Sequence, residues 1–221
     1  MFTECLKNRQ APKDWNKAVM ILLHKKGDKS DIGNYRPISL TSHICKLFSR
    51  IIKNRIGKQL DEHQPREQAG FRPGFSTTDH LQVVTQVIEK LNEYKLPLSI
   101  AFLDYEKAFD SVEHDGIMRA LTEHQVPAVY VETIISIYES CTSQVRVDKD
   151  MSSMFEVRRG VRQGDTLSPN MFNSGLEQAF KSLDWQDKGI NINGERLNHL
   201  RFADDISDYK PHSRRVTGHA Q

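Results

Sequence analysis

A chain of 221 residues, 38% hydrophobic and 27% charged, is long enough for one domain with a sizeable core. Its 12 glycines and 8 prolines exclude collagen-like and low-complexity character. No apolar run approaches the ~18 residues of a membrane span, and the leading MFTECLKNRQAPKDW lacks a signal peptide's apolar stretch. The formal charge of +2 hides a polarity: residues 1–58 carry 13 Lys/Arg against four Asp/Glu, so the remainder is acidic. That basic segment either attracts phosphate or is a solvated face. Three widely spaced cysteines, Cys5, Cys45 and Cys141, fit a reducing compartment better than a disulfide framework. The expectation is a soluble intracellular protein with no membrane partner, nucleus and cytoplasm left open.

WNKAVMILLH at 15–24 reads as an apolar strand, and a turn at KKGDKSD leads to a second strand in GNYRPISL, so 18–40 is expected as a hairpin-like lobe. Ser42 is placed to cap a helix in which Ile44, Leu47, Phe48, Ile51, Ile52, Ile56 and Leu60 recur at helical spacing, with Arg50, Lys53, Arg55 and Lys58 opposite. A second helix is expected from Thr77 or Thr78, with Leu81, Val84, Ile88 and Leu91 as its core stripe. LSIAFLD, after Pro97, predicts a buried strand ending at Asp104. Helices follow at about 112–124 and 127–140, then a strand in TSQVRV, and FEVRRGVRQG supplies another short strand and a glycine-marked turn. Pro169 suits the first turn of another helix, whose Met171, Phe172, Leu176 and Phe180 form an apolar stripe. NING at 191–194 is a turn signal, and ERLNHLRFADDI reads as strand, tight turn and return strand. The mixture predicts an α+β fold, with helices packed on a small antiparallel sheet.

Carboxylates are the strongest chemical feature. Asp104 ends an apolar strand, and Asp204 and Asp205 occupy a hairpin turn between apolar residues. Alone, each has a bland reading as a turn or helix-start residue. A strand end beside that turn would gather three acids whose repulsion a hard cation such as Mg²⁺ offsets. The nine histidines show no paired spacing of a zinc site, and no nucleophile elbow or dinucleotide fingerprint is present.

Five motifs occur in order: KKGDKSDIGNYRPISL, QAGFRPGFSTTDH, FLDYEKAFDSVEH, RRGVRQGDTLSPNMFN and FADD. Together they closely resemble the reverse transcriptases of non-LTR (LINE-like) retrotransposons, over residues 12–206, with 207–221 left as a short divergent tail. The resemblance implies a right-hand polymerase palm with a fingers subdomain. It also implies RNA-directed DNA synthesis by two-metal nucleotidyl transfer, with two Mg²⁺ ions (Mn²⁺ as a substitute), dNTPs, an RNA template and a DNA primer or target DNA. Asp104, Asp204 and Asp205 become catalytic and metal-binding residues. The Tyr105 carbonyl is a further candidate for the metal shell.

Lys25, Lys26 and Arg36 are triphosphate candidates, Arg36 through its bidentate fork, with the inward-facing lysine left open. Phe109 becomes the ring that excludes a 2′-hydroxyl, though it also suits a core. Gln163 is a nucleotide contact and Gly164 permits close backbone approach to the template. Arg72 either meets template or stabilises the fingers, and Arg162 either meets phosphate or forms an ion pair. Asp165 is expected to order its loop or cap the following helix rather than bind metal.

Departures from the family pattern are Thr166, where proline is frequent, and Phe75, where arginine is frequent. The return strand is expected to be interrupted by Ser207 and Asp208 and ended by Lys210–Pro211. No thumb is evident after FADD, and no endonuclease precedes the first motif, so an element-derived fragment or a degenerated gene product is expected. Its alternative function is noncatalytic nucleic-acid binding. A metal-dependent nuclease would use similar carboxylates but leaves the fingers motifs unexplained.

Overall fold

The computed structural model describes residues 1–185 and 188–211, and the expected tail from His212 onward lies outside them. The chain divides into two compact units. The first comprises Met1–Gln64 and Lys107–Lys181, and the second Pro65–Glu106 with the chain from Ser182 onward.

In the first unit, β1 (Lys17–His24) and β2 (Tyr35–Leu40) form the expected antiparallel hairpin, with Ile21 opposite Ile38. Trp15 lies outside the strand, in a 3-10 turn at Lys13–Asn16, buried against Phe48 at 5.1 Å between ring centroids. The other edge of β1 pairs in parallel with β4 (Thr142–Val147), to which β5 (Asp150–Met151) and β6 (Phe155–Glu156) add antiparallel. This sheet is therefore mixed, and its parallel pair joins segments whose separation exceeds any local signal.

Around it lie α1 (Phe2–Asn8), α2 (His43–Glu62), α4 (Ala108–Ser111), α5 (His114–Glu123), α6 (Ala128–Tyr138) and α7 (Ser168–Lys181); α3 (Thr77–Glu93) belongs to the second unit. Ser42 caps α2 as expected, its hydroxyl accepting from Cys45 N at 3.1 Å. Phe48, Ile52, Ile56 and Leu60 are buried, whereas Ile44 and Leu47 at the start of the expected stripe are exposed. Pro169 sits in the first turn of α7, whose Met171, Phe172 and Phe180 are buried.

The second unit holds a three-stranded antiparallel sheet in the order β3 (Leu98–Leu103), β10 (Asp205–Pro211), β9 (His199–Phe202), with a small hairpin of β7 (Ile190–Ile192) and β8 (Glu195–Leu197). Asn193 and Gly194 both take positive φ in that hairpin's two-residue turn, which confirms NING as a turn. Two expectations are corrected. β3 is an edge strand and is largely exposed (Phe102 75%), since β10 is its only paired neighbour among the described residues. On α3, capped by a Ser76–Asp79 box, Val87 is the buried residue while Leu81 and Ile88 of the expected stripe are exposed.

The return strand is a third correction, because β10 runs unbroken through Ser207 and Asp208. The buried Ser207 hydroxyl meets Tyr209 OH at 2.9 Å, so a polar residue is satisfied inside the strand without ending it.

Burial predicts acid sensitivity. His124 is fully buried and stacks on His63 at 4.8 Å, with neither ring nitrogen hydrogen-bonded among the described residues. Desolvation, then Lys181 and His63, hold its imidazole down to about 4, and desolvation with Arg201 does the same for His199. The unfolded histidines take up protons near pH ~6.5, before the folded ones. Stability is therefore complete above that value and declines as pH falls towards about 4, by up to ~1.4 kcal/mol per pH unit for each histidine. Melting curves between pH 7 and 4.5 should show a shallower decline for His124→Phe than for the wild type; equal slopes would remove His124 from this account.

Candidate active site

The acidic residues come together within the second unit. Leu103 pairs with Ile206, so the next step in register carries Asp104 to the position opposite Asp205, beside the turn that holds Asp204. Asp205 faces Phe202 across the β9–β10 hairpin, leaving Ala203 and Asp204 as its two-residue turn. Only the first of these has positive φ, 59° at Ala203, the pattern of a type II′ turn. Asp104 and Asp205 are exposed and Asp204 is half-buried.

Desolvation raises the Asp205 carboxyl above its ordinary value, and the charges of Asp204 and Asp104 raise it further. No cation pairs with any of the three among the described residues. Among the described residues no group of three or more His, Cys, Asp or Glu is placed to hold a metal ion. Hard carboxylate oxygens nonetheless suit Mg²⁺, which binds through one or two carboxylates completed by water and substrate phosphate rather than an all-protein cage.

The first unit carries the remaining candidates. Lys25, Lys26 and Arg36 flank the β1–β2 turn, exposed and without an ion pair among the described residues. Lys25 is near enough to Asp110 to favour its ionised form, as Lys107 is, although burial still raises the Asp110 carboxyl. Phe109 stacks on the buried Phe172 at 4.6 Å and 15°, which fixes its ring. Gln163 donates to Asp110 Oδ1 at 2.9 Å, and its carbonyl accepts from Ser39 N at 2.8 Å, so this loop is stitched to β2. Gly164, at φ 103°, lies where a Cβ would sit 3.4 Å from Ser39 O and the Ile38 side chain. Asp165 orders the loop as expected, accepting from Leu167 N at 2.9 Å and Ser49 Oγ at 3.1 Å.

Two arginines have partners inside the protein. Arg162 is 7% exposed; its guanidinium donates to Cys141 Sγ at 2.9 Å and Ile137 O at 3.3 Å and lies over Tyr138. The expected phosphate contact is therefore corrected to an interior role, tying the end of α6 to the loop. Arg72 donates to the carbonyls of Pro65 (2.7 Å) and Gln68 (2.9 Å) and lies over Phe75 at 4.4 Å.

Residue-type reasoning missed Asp110 and Gln68. Asp110 was legible only as the end of FLDYEKAFD. Gln68 opens QAGFRPG, and its partner in the Asp204 turn is 135 residues away.

Residues 23–218 match the family described as reverse transcriptase (RNA-dependent DNA polymerase). A Nasonia vitripennis Pol polyprotein from type-1 retrotransposable element R2 is 30% identical over 93% of this chain and 20% of its own length. The probable RNA-directed DNA polymerase from transposon BS of Drosophila melanogaster is 34% identical over 73% of this chain and 18% of its own. The chain thus spans about a fifth of the length of these relatives. A Candida tropicalis telomerase structure, solved with a fragment of telomeric RNA, has a TM-score of 0.64 at 14% identity, covering 92% of this chain and 37% of the other. At that identity the likeness bears on the fold, which is the expected α+β palm-and-fingers arrangement, with no thumb evident among the described residues. No described helix is long and apolar enough to cross a membrane.

Proposed function

The chain belongs to the reverse transcriptase (RNA-dependent DNA polymerase) family, of the non-LTR retrotransposon type, and from that membership we propose that it transfers deoxynucleotides to a primer 3′-hydroxyl on an RNA template. The observation that carries this reading is the convergence of Asp104, Asp204 and Asp205 at one end of the β3–β10–β9 sheet, with no pairing cation among the described residues. Bound Mg²⁺, or Mn²⁺ in its place, would polarise the attacking hydroxyl and offset triphosphate charge. Asp104 and Asp204 would hold the ions, and Asp205 would add negative potential to the same centre. Arg36 and Lys25, with Lys26 beside them, take the triphosphate oxygens; the Arg36 fork gives direction and the lysines charge. Phe109 occupies the volume a 2′-hydroxyl would need. Gln163 orients the nucleotide, and Gly164 lets the template backbone approach.

The test is incorporation of labelled dNTPs into a DNA primer annealed to RNA, with Mg²⁺ present. Incorporation that EDTA stops and Asp204→Asn removes is the expected result. A folded protein that binds the template–primer but adds no nucleotide would overturn the reading in favour of a noncatalytic nucleic-acid-binding fragment.

A further inference from the structure

We propose that Gln68 is a positioning residue of the acidic centre, its side-chain amide fixing the β9–β10 turn so that Asp204 is held ready for a divalent cation. The metal-binding part of this proposal rests on the function proposed above, whereas the clamp itself rests on geometry alone.

Gln68 is 1% exposed, and its amide is used on both sides. Oε1 accepts from Ala203 N at 2.9 Å and Gly70 N at 2.8 Å, while Nε2 donates to Ala203 O at 3.3 Å. The side chain thereby pairs with both main-chain groups of the residue before Asp204, as a neighbouring strand would. Ala203 needs that support. Its φ of 59° is a conformation that an L-residue with a Cβ adopts only under strain, and a type II′ turn ordinarily places glycine there. Such a residue persists where its surroundings over-determine it.

The main chain around Gln68 is itself anchored. Gln68 forms a parallel bridge with Arg201; Arg201 N donates to Glu67 O at 2.7 Å, and Ala69 N donates to Arg201 O at 2.9 Å. Gly70 admits this approach, because a Cβ there would run into the Ala203 main chain. Arg72 holds the Gln68 carbonyl from the other side. A continuous set of contacts therefore runs from Arg72 through Gln68 to Ala203 and the residue that follows it, Asp204.

Coupling to Asp204 separates a positioning role from a purely structural one. Mn²⁺ alone is titrated into the full chain and followed by the EPR signal of the free ion, for wild type, Gln68→Asn, Asp204→Asn and the double variant. Asparagine keeps the amide but falls one methylene short, so the fold is retained and checked by circular dichroism. Gln68→Asn should weaken Mn²⁺ binding about tenfold, the effect of losing a group that orients a metal ligand. In the Asp204→Asn background the same change should add no further loss. Independent, additive losses would overturn the positioning role.

Amide exchange at Ala203, read by NMR without metal, tests the clamp separately. Exchange should accelerate at least about tenfold in Gln68→Asn while β3–β10 amides keep their protection. Unchanged Ala203 exchange overturns the clamp. Equal Mn²⁺ affinity in wild type and Asp204→Asn overturns the metal reading instead, leaving the exchange result to decide the clamp.

Discussion

Asp104→Asn should reduce primer extension by roughly a thousandfold or more while leaving the protein at least as stable as the wild type. Both halves follow from the position of the residue. Asp104 is exposed just past the end of edge strand β3 and has no ion pair among the described residues, so the substitution breaks no contact that holds the fold. It removes a negative charge from the neighbourhood of Asp205, whose carboxyl is raised by burial and then by Asp204 and Asp104. An acid whose folded pKa lies above its unfolded value binds more protons when folded. Ionising it therefore disfavours the fold, and this deficit grows as pH rises past the unfolded value of about 4. Asp104→Asn relieves part of it.

Paired melting curves should coincide near pH 4, and by pH 7 the variant should lie at or above the wild type. Extension is measured on the same preparations. Retained extension would reject Asp104 as a catalytic residue, and a melting temperature several degrees lower at pH 7 would make it a structural one.

Phe109→Val should raise the use of ribonucleotides relative to deoxynucleotides by on the order of a hundredfold, the range that a few carbon atoms of pocket volume command. The reason is rigidity. Stacking on buried Phe172 at 4.6 Å, together with the Phe109 carbonyl accepting from Val161 N at 2.7 Å, fixes the ring and backbone, so the excluded volume cannot move aside for an extra oxygen. Valine leaves that volume open. Because Phe109 is only half-buried, the stability cost should be about 1–2 kcal/mol, less than for truncating a fully buried phenylalanine. The readout is the ratio of kcat/KM values for a ribonucleotide and the matching deoxynucleotide. An active variant with an unchanged ratio would remove Phe109 from sugar selection.

The residues that were legible from sequence are those whose chemistry or periodicity is local. The β1–β2 hairpin followed from two apolar runs about a turn, the α2 cap from Ser42 before a helical stripe, and the acid pair from its place in a hairpin. Stripe boundaries were less legible because periodicity shows that a helix has an apolar face without showing how much of it is covered. Leu81 and Ile88 on α3, and Ile44 and Leu47 on α2, share their stripes with core residues yet face solvent. The return strand was misread for a related reason. Ser207 looks like a breaker until its hydroxyl meets Tyr209, and a hydrogen bond between two side chains is a product of the folded strand.

By itself the sequence determined the chemical inventory: three carboxylates, a basic turn, an aromatic ring after the first acid and a glycine-marked loop, in an order that names a family. Tertiary structure alone decided which of these groups meet. It set Asp104 within electrostatic reach of Asp205, directed Arg162 into the interior and paired β1 in parallel with β4. It also brought Gln68 to a turn 135 residues away. Such partners are chosen by the packing of whole elements, because a hydrogen bond or a charge interaction depends on distance in space and leaves no periodic trace along the chain.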